Sequence, residues 1–254
     1  MLKVAVSGPL GRLGSVVARA VSGSEDMRLS GAYDPTRAGK MAAGVEVQGS
    51  IRDIDTQVVV ECSHPKSVMD NLRQWHAKGV SVVVGTSGFT SERIAEVRSF
   101  WGKTGAGCLI VPNFSIGAVL MMRFAEIASA HFDSAEIIER HEDNKPDAPS
   151  GTALATAMRL GKTRTPEAGE TSDEVVKGAR GGLVSGVHVH SLRMRGLLSD
   201  QEVAFSNLGE TFSINHRSTS YESFANGALV AIRYVQTIKG VTVGLDSALG
   251  LDAG

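Results

Sequence analysis

No apolar run in this chain reaches the ~20 residues that a membrane-spanning helix needs, so a membrane protein is not expected. An excess of charge of one sign is also missing. The chain carries 26 Lys and Arg against 27 Asp and Glu, a formal net charge of −1. That balance leaves no electrostatic footprint for nucleic acid or for an anionic membrane surface. Cysteine is scarce: Cys62 and Cys108 lie alone in or beside apolar runs, with no Cys-x-x-Cys partner. They read as buried thiols in a reducing cytoplasm. The opening Met1-Leu2-Lys3-Val4-Ala5-Val6 passes directly into a strand pattern, and no secretory signal is expected. Internal repeats and low-complexity segments are lacking too. What remains is an ordinary globular composition over 254 residues, room for one large domain or two modest ones.

Strands and helices alternate over the first half. Lys3 to Ser7 reads as a buried strand, followed by Gly8-Pro9-Leu10-Gly11-Arg12-Leu13-Gly14 and a helix with Val16, Val17, Ala20 and Val21 on its apolar positions. Strand, glycine turn and helix in that order read as a dinucleotide-binding unit, although the spacing is Gly-x-x-Gly-x-x-Gly rather than Gly-x-Gly-x-x-Gly. Gly8 permits the tight turn, Gly11 lets the backbone approach a pyrophosphate, and Gly14 permits close helix packing. Pro9 has no N–H to donate, while Arg12 adds charge near the phosphates. The second strand, Met27 to Tyr33, ends at Asp34, twenty residues after Gly14, where an acid bonds the adenine ribose hydroxyls. Asp34 favours NADH and repels the extra phosphate of NADPH. Arg37 could offset that repulsion, but a solvated loop charge is its ordinary reading. Residues 35 to 50 are expected to form a loop or a short irregular crossover. Thr56 to Ser63 and Ser81 to Val84 are core strands, Lys66 to Lys78 and Ser91 to Trp101 helices, and Cys108 to Val111 another strand. His64, at a strand end, reads as a loop residue. The loops at these strand ends converge on one crevice, as open α/β sheets require.

From Ile116 the pattern changes. An apolar helix to Ala130 precedes a strand, Ala135 to Arg140, and then the loop Glu139-Arg140-His141-Glu142-Asp143-Asn144-Lys145-Pro146-Asp147-Ala148-Pro149-Ser150-Gly151-Thr152. Its two prolines deny it helix. Ser150 stands where the N-cap of a helix over Gly151 to Leu160 belongs. The N–H groups of Gly151, Thr152 and Ala153 would then point out as an anion site suited to a carboxylate. His141 offers a proton near neutral pH and Lys145 a positive charge. Residues 161 to 185 read as a mobile loop. Val187 to Arg195, Gln201 to Leu208 and Glu210 to Ser218 read as an antiparallel meander, with a bulge at the phase change around Ser191. Ser223 to Gln236 is a final helix that returns to the first domain. His188-x-His190 could ligate metal, but without a third ligand nearby its ordinary reading is one polar strand face; no metal is expected. His216, beside Arg217, is expected at the surface.

The run Lys-x-Asp-Ala-Pro-Ser-Gly-Thr-Ala from Lys145 to Ala153 resembles the signature of the dihydrodipicolinate reductase family. The similarity extends from the first glycines through Gly178-Ala179-Arg180-Gly181-Gly182 to Phe224-Ala225-Asn226-Gly227-Ala228. It implies an α/β fold: an N-terminal Rossmann-like dinucleotide-binding domain (1–114 plus 218–254) and a C-terminal α+β substrate-binding and oligomerisation domain (115–217) on a mixed four-stranded sheet. It implies NADH and NADPH as cofactors, held by Gly8, Pro9, Leu10, Gly11, Arg12, Leu13 and Asp34. Gly85, Thr86 and Ser87 resemble the family's Gly-Thr-Thr-Gly turn on the nicotinamide side. Val111, Pro112, Asn113 and Phe114 resemble its nicotinamide-ribose and hinge turn. It implies reduction of a cyclic dicarboxylate to tetrahydrodipicolinate, on the route to lysine and diaminopimelate, and a homotetramer paired through the C-terminal sheets. His141 and Lys145 take the catalytic places, and Glu142, Lys145, Ser150, Gly151 and Thr152 the substrate places. The family carries His-His where this chain has His141-Glu142. A carboxylate there repels a dicarboxylate unless it is protonated or turned towards Arg140 or Lys145. Two other readings stay open: a related reductase of another cyclic imino acid, and a non-catalytic dinucleotide sensor.

Overall fold

The runs Val58-Val59-Val60 and Val82-Val83-Val84 are wholly buried, as strands covered on both faces must be, and they form the middle of the larger of two sheets. The computed structural model describes residues 1–103, 105–163 and 173–251. Its first elements are β1 (Leu2–Ser7), α1 (Arg12–Ser22), β2 (Met27–Tyr33), β3 (Met41–Ala42), β4 (Val45–Gln48), β5 (Val58–Glu61), α2 (Val68–Ala77), β6 (Ser81–Val84), α3 (Ser91–Trp101) and β7 (Gly107–Ile110). Then follow α4 (Ile116–Ser129), β8 (Ser134–His141), α5 (Gly151–Thr163), β9 (Gly182–Val184), β10 (Val187–Arg193), β11 (Ser199–Asn207) and β12 (Glu210–Ser218). A 3-10 turn at Tyr221–Phe224, α6 (Ala225–Val235), β13 (Gly240–Val243) and a second 3-10 turn at Ser247–Leu249 are the last elements of the described residues. It divides into two compact units, Met1–Ile116 with Tyr221–Gly254, and Gly117–Ser220.

In the first unit the sheet order is β13-β7-β6-β5-β1-β2-β4-β3. All neighbours are parallel except the short β3–β4 hairpin. Strand order reverses between β1 and β5, which is where an open α/β sheet makes its ligand crevice. Helix α6 buries Ala228, Ala231, Ile232 and Val235 and closes on the Phe114 turn. A Cβ on Gly227 would stand 1.8 Å from the Phe114 carbonyl oxygen, so only glycine permits that approach. The region 35 to 50 holds the β3–β4 hairpin, too short to register in the hydrophobic pattern. Strand β13, likewise short, is an element beyond those the sequence suggested. Both cysteines are free thiols, and burial pushes them up, Cys108 to about 12.

The second unit carries a mixed sheet of order β12-β11-β8-β10-β9, with β8 and β10 parallel and the other pairs antiparallel. Ile137, Ala153, Ala157, Leu160, Val189 and Phe205 fill its core. Five strands replace the expected four, because Gly182–Val184 forms a three-residue edge inside the stretch read as a mobile loop. Within that stretch α5 also continues to Thr163, and residues 164–172 lie outside the described residues. The expected bulge at Ser191 is not there: β10 runs in unbroken register with β8 from His188↔Glu136 to Arg193↔His141. The phase change has another cause. On the strand face of the buried Val187 and Val189, the residues change to the polar Ser191 and Arg193, which bond the buried Glu139. His216 is half-buried rather than fully at the surface. It packs on Gly117, where a Cβ would lie 2.8 Å from its ring, and burial lowers its pKa.

Candidate active site

The glycine turn makes a cradle at the strand-order reversal. Gly8 has φ +72°, a conformation glycine tolerates without strain, and its N–H donates to the Tyr33 carbonyl (2.8 Å). A Cβ on Gly8 would meet the Cys62 carbonyl oxygen at 2.6 Å, and one on Gly14 would meet the Gly8 oxygen at 2.1 Å. Above the turn lies a cavity of about 640 Å³ lined by Gly8, Gly11, Arg12, Asp34, Thr36, Arg37, Ser63, His64 and Asn71, among others. Arg12 donates to the Tyr221 hydroxyl (2.9 Å) and lies over its ring. Asp34 Oδ1 accepts from the Thr36 N–H (2.9 Å) and hydroxyl (2.7 Å). Arg37 is not a loose solvated charge. Its guanidinium donates to the Leu10 carbonyl (3.0 Å) and stands 3.8 Å from Asp34, tying the glycine turn to the end of β2.

Two further turns meet this one. A Cβ on Gly85 would lie 2.5 Å from the Phe114 ring and 3.0 Å from Leu13, so Leu13, Gly85 and Phe114 are packed together. The Thr86 hydroxyl is turned inward, donating to the Glu61 (3.2 Å) and Ser63 (3.0 Å) carbonyls; Ser87 is exposed. Val111 donates its N–H to the Val84 carbonyl (2.9 Å), and Asn113 Oδ1 accepts from the Ser115 N–H (2.8 Å), with Pro112 exposed between them. Beneath the cavity is a residue the sequence reading passed over, Glu61, wholly buried. It accepts from the Ser63 N–H (3.0 Å), Asn71 Nδ2 (3.4 Å) and Trp75 Nε1 (3.2 Å). Burial pushes its carboxyl up, against the pull of these hydrogen bonds. The one available signal was an acid closing the run Val58-Val59-Val60.

In the second unit, β8 lies between β10 and β11, so His141 has Arg193 and Ser199 as cross-strand neighbours. Glu139, two residues back on the same strand face, is wholly buried and bonds His141 Nδ1. Arg193 grips both Glu139 oxygens (3.0 and 2.9 Å) and donates to the Asp147 carbonyl (2.7 Å). Burial works to raise the Glu139 carboxyl, but bonds from His141, Arg193 and Ser191 outweigh it and hold it at about 2. His141 Nε2 lies 3.2 Å from the Ser199 hydroxyl. Lys145 pairs with Asp147 at 2.6 Å, and that bond lowers the Asp147 carboxyl. Arg140 pairs with Glu202 at 2.9 Å. Each cation considered for Glu142 therefore holds another carboxylate.

Ser150 caps α5 by accepting from the Ala153 N–H (3.2 Å), and its own N–H donates to Glu139 (3.3 Å). Of the three N–H groups expected to face outward, that of Ala153 is thus taken up by the cap. Ser150 is itself buried, whereas Gly151 opens to solvent with no atom near its Cβ position. The segment from His141 to Thr152 carries an imidazole backed by a charged carboxylate, an ammonium group and a helix start. Glu139 and Arg193 have no role in the sequence reading. Arg193 is 54 residues from Glu139, and nothing local announces the pair.

Among known proteins, the family description "Dihydrodipicolinate reductase, N-terminus" matches residues 2–114, and "Dihydrodipicolinate reductase, C-terminus" matches residues 117–249. The 4-hydroxy-tetrahydrodipicolinate reductase of Cutibacterium acnes is 44% identical, over 99% of this chain and 100% of that protein. That of Thermobifida fusca is 45% identical, again over 99% and 100%. A dihydrodipicolinate reductase from Paenisporosarcina sp. TG-14, solved with dipicolinate bound, superposes with a TM-score of 0.85 at 33% identity, covering 97% of this chain and 99% of that one.

Proposed function

This chain belongs to the dihydrodipicolinate reductase family, and on that premise we propose that it reduces 4-hydroxy-tetrahydrodipicolinate to tetrahydrodipicolinate with NADH or NADPH, on the route to diaminopimelate and lysine. The observation that carries the reading is the loop from His141 to Thr152, which joins a proton carrier to a helix start suited to a carboxylate. In the first unit, the glycine turn suits a dinucleotide: Gly8 and Gly11 line the cavity with backbone alone, and Gly8 and Gly14 let the turn pack so tightly that a Cβ on either would strike a neighbouring carbonyl oxygen. Gly8 to Leu13, Asp34, Gly85 to Ser87 and Val111 to Phe114 are its proposed holders. When bound, the nicotinamide supplies hydride. Asp34 favours NADH. Arg37, anchored beside it, supplies a cation for the extra phosphate of NADPH.

In the second unit, His141 is the acid that neutralises the charge left on the reduced ring. Lys145 holds a carboxylate or shares the proton donation. The N–H groups of Gly151 and Thr152, with the Thr152 hydroxyl, hold the other carboxylate, and Ser150 shapes that helix start. Glu142, a carboxylate where the family carries a second His, supports a second reading, a reductase of another cyclic imino acid. The second unit's sheet is the proposed surface of a homotetramer. Free cysteines suit a cytoplasmic location, and among the described residues no helix is long and apolar enough to cross a membrane.

NADH and NADPH oxidation with enzymatically generated dihydrodipicolinate tests the activity. Turnover with another cyclic imine only would favour the second reading, and NADH binding without turnover on any imine would make the chain a sensor. His141→Gln is expected to cut kcat by about two orders of magnitude or more, measured on protein with unchanged NADH affinity. An unchanged kcat removes His141 from the acid's role.

A further inference from the structure

Glu139 occupies an unusual place. It is wholly buried in the second unit, yet its carboxylate is ringed by polar groups, with Arg193 and the Ser150 N–H donating to it. His141 Nδ1 and the Arg193 guanidinium are on it from two strands, and the Ser150 N–H reaches it from the start of α5. A carboxylate so placed would be costly without those partners. Ordinary core packing has no use for it there, because the same inward positions one turn of the pleat earlier are Ile137 and Val189. We propose that Glu139 is a positioning residue for His141: it fixes the ring proton at Nδ1, so that the proton exchanged with substrate is carried at Nε2. The proposal rests on the reading of His141 as the acid.

The proton bookkeeping follows from imidazole chemistry. The imidazolium gives its Nε2 proton to the substrate atom and becomes the neutral Nδ1–H tautomer, the one that a carboxylate acceptor at Nδ1 selects. Solvent then returns a proton to Nε2. Away from substrate, the Ser199 hydroxyl can pair with Nε2, accepting from the charged ring and donating to the neutral one, and it yields that place to the substrate atom for the transfer. Arg193 keeps Glu139 ionised and, through the Asp147 carbonyl, ties the same carboxylate to the loop that carries Lys145. One buried group therefore sets the ring and part of its loop.

The test is a double-mutant cycle with Glu139→Gln and His141→Gln, read by kcat on protein whose circular dichroism and NADH affinity match wild type. Glu139→Gln is expected to lower kcat by about tenfold or more. The double variant is expected within about threefold of His141→Gln alone, since a residue acting through another adds little once that other is gone. Nitrogen-15 NMR of wild type, which needs no variant to fold, is expected to show the neutral His141 ring protonated at Nδ1. Three results overturn the proposal: a Glu139→Gln kcat within about twofold of wild type beside an impaired His141→Gln, losses that multiply in the double variant, or a ring protonated at Nε2. A wild-type rate for His141→Gln is a different failure, because it removes the acid itself and the positioning role with it.

Discussion

Among the described residues two glutamates are wholly buried, Glu61 and Glu139, and their surroundings drive them in opposite directions. Glu61 has neutral donors: a backbone N–H, an amide and an indole. Burial wins there and pushes its carboxyl up. Glu139 has a guanidinium and an imidazole, and those partners win over burial, holding it at about 2. Opposite shifts mean opposite pH dependence of stability. The folded Glu139 titrates below its ordinary value of 4.5, so its contribution is complete above that pH and disappears as the pH falls towards about 2. The folded Glu61 titrates above 4.5, so its contribution is complete below that pH and disappears as the pH rises through its raised value. Calorimetric midpoints should therefore diverge between the two Gln variants. The deficit of Glu139→Gln relative to wild type shrinks on acidification below pH 4.5, whereas the difference for Glu61→Gln moves in the variant's favour as the pH rises above it. Parallel curves for the two variants would show that neither carboxyl titrates as its neighbours dictate.

At the scale of elements, the decisive contact is the start of α1 against the glycine turn. The Cβ of an alanine at Gly14 would sit 2.1 Å from the Gly8 oxygen, and backbone cannot swing aside as a side-chain tip can. Gly14→Ala must lift α1 off the turn, at a cost of about 1–3 kcal/mol for overpacking. It is expected to lower the melting temperature and weaken NADH binding by tenfold or more in a calorimetric titration. Wild-type affinity would mean that the cradle is not where the dinucleotide lies. This contact was legible in the sequence because strand, glycines and helix are contiguous there. The same holds for Asp34 at the end of β2 and for Ser150 as a helix cap, where a few adjacent residues carry the information. The β3–β4 hairpin, β9 and β13 were not legible, being two to four residues long and without a period to read. The Glu139–Arg193 pair was hidden for a different reason: parallel pairing of β8 with β10 brings together residues whose separation in sequence no local pattern records. Its trace, polar Ser191 and Arg193 on the strand face of Val187 and Val189, was visible but read as a bulge.

At the scale of the molecule, the second unit's sheet is covered on one face and open on the other within a single chain. Helix α5 lies over the inward positions, where Ile137, Val189 and Val203 are buried. The alternate positions Glu136, Ile138, Glu202 and Ala204 stay half-exposed and line a cavity of about 470 Å³ with Phe212. Phe212 itself is 44% exposed on the outermost strand, β12. An apolar edge and a half-covered face of this kind are a hazard in a lone chain and an asset in a symmetric assembly. The proposed tetramer would use this surface, and a charge set in its middle should break it. Ala204→Arg places a guanidinium on the open face without touching the inward core. The expected result in light scattering after size exclusion is a fall from four chains of 26.7 kDa to a smaller species, with NADH affinity of the first unit retained. If wild type itself runs as one chain, or if Ala204→Arg leaves a tetramer intact, the sheet face is not the assembly surface, and its exposed Phe212 requires another explanation.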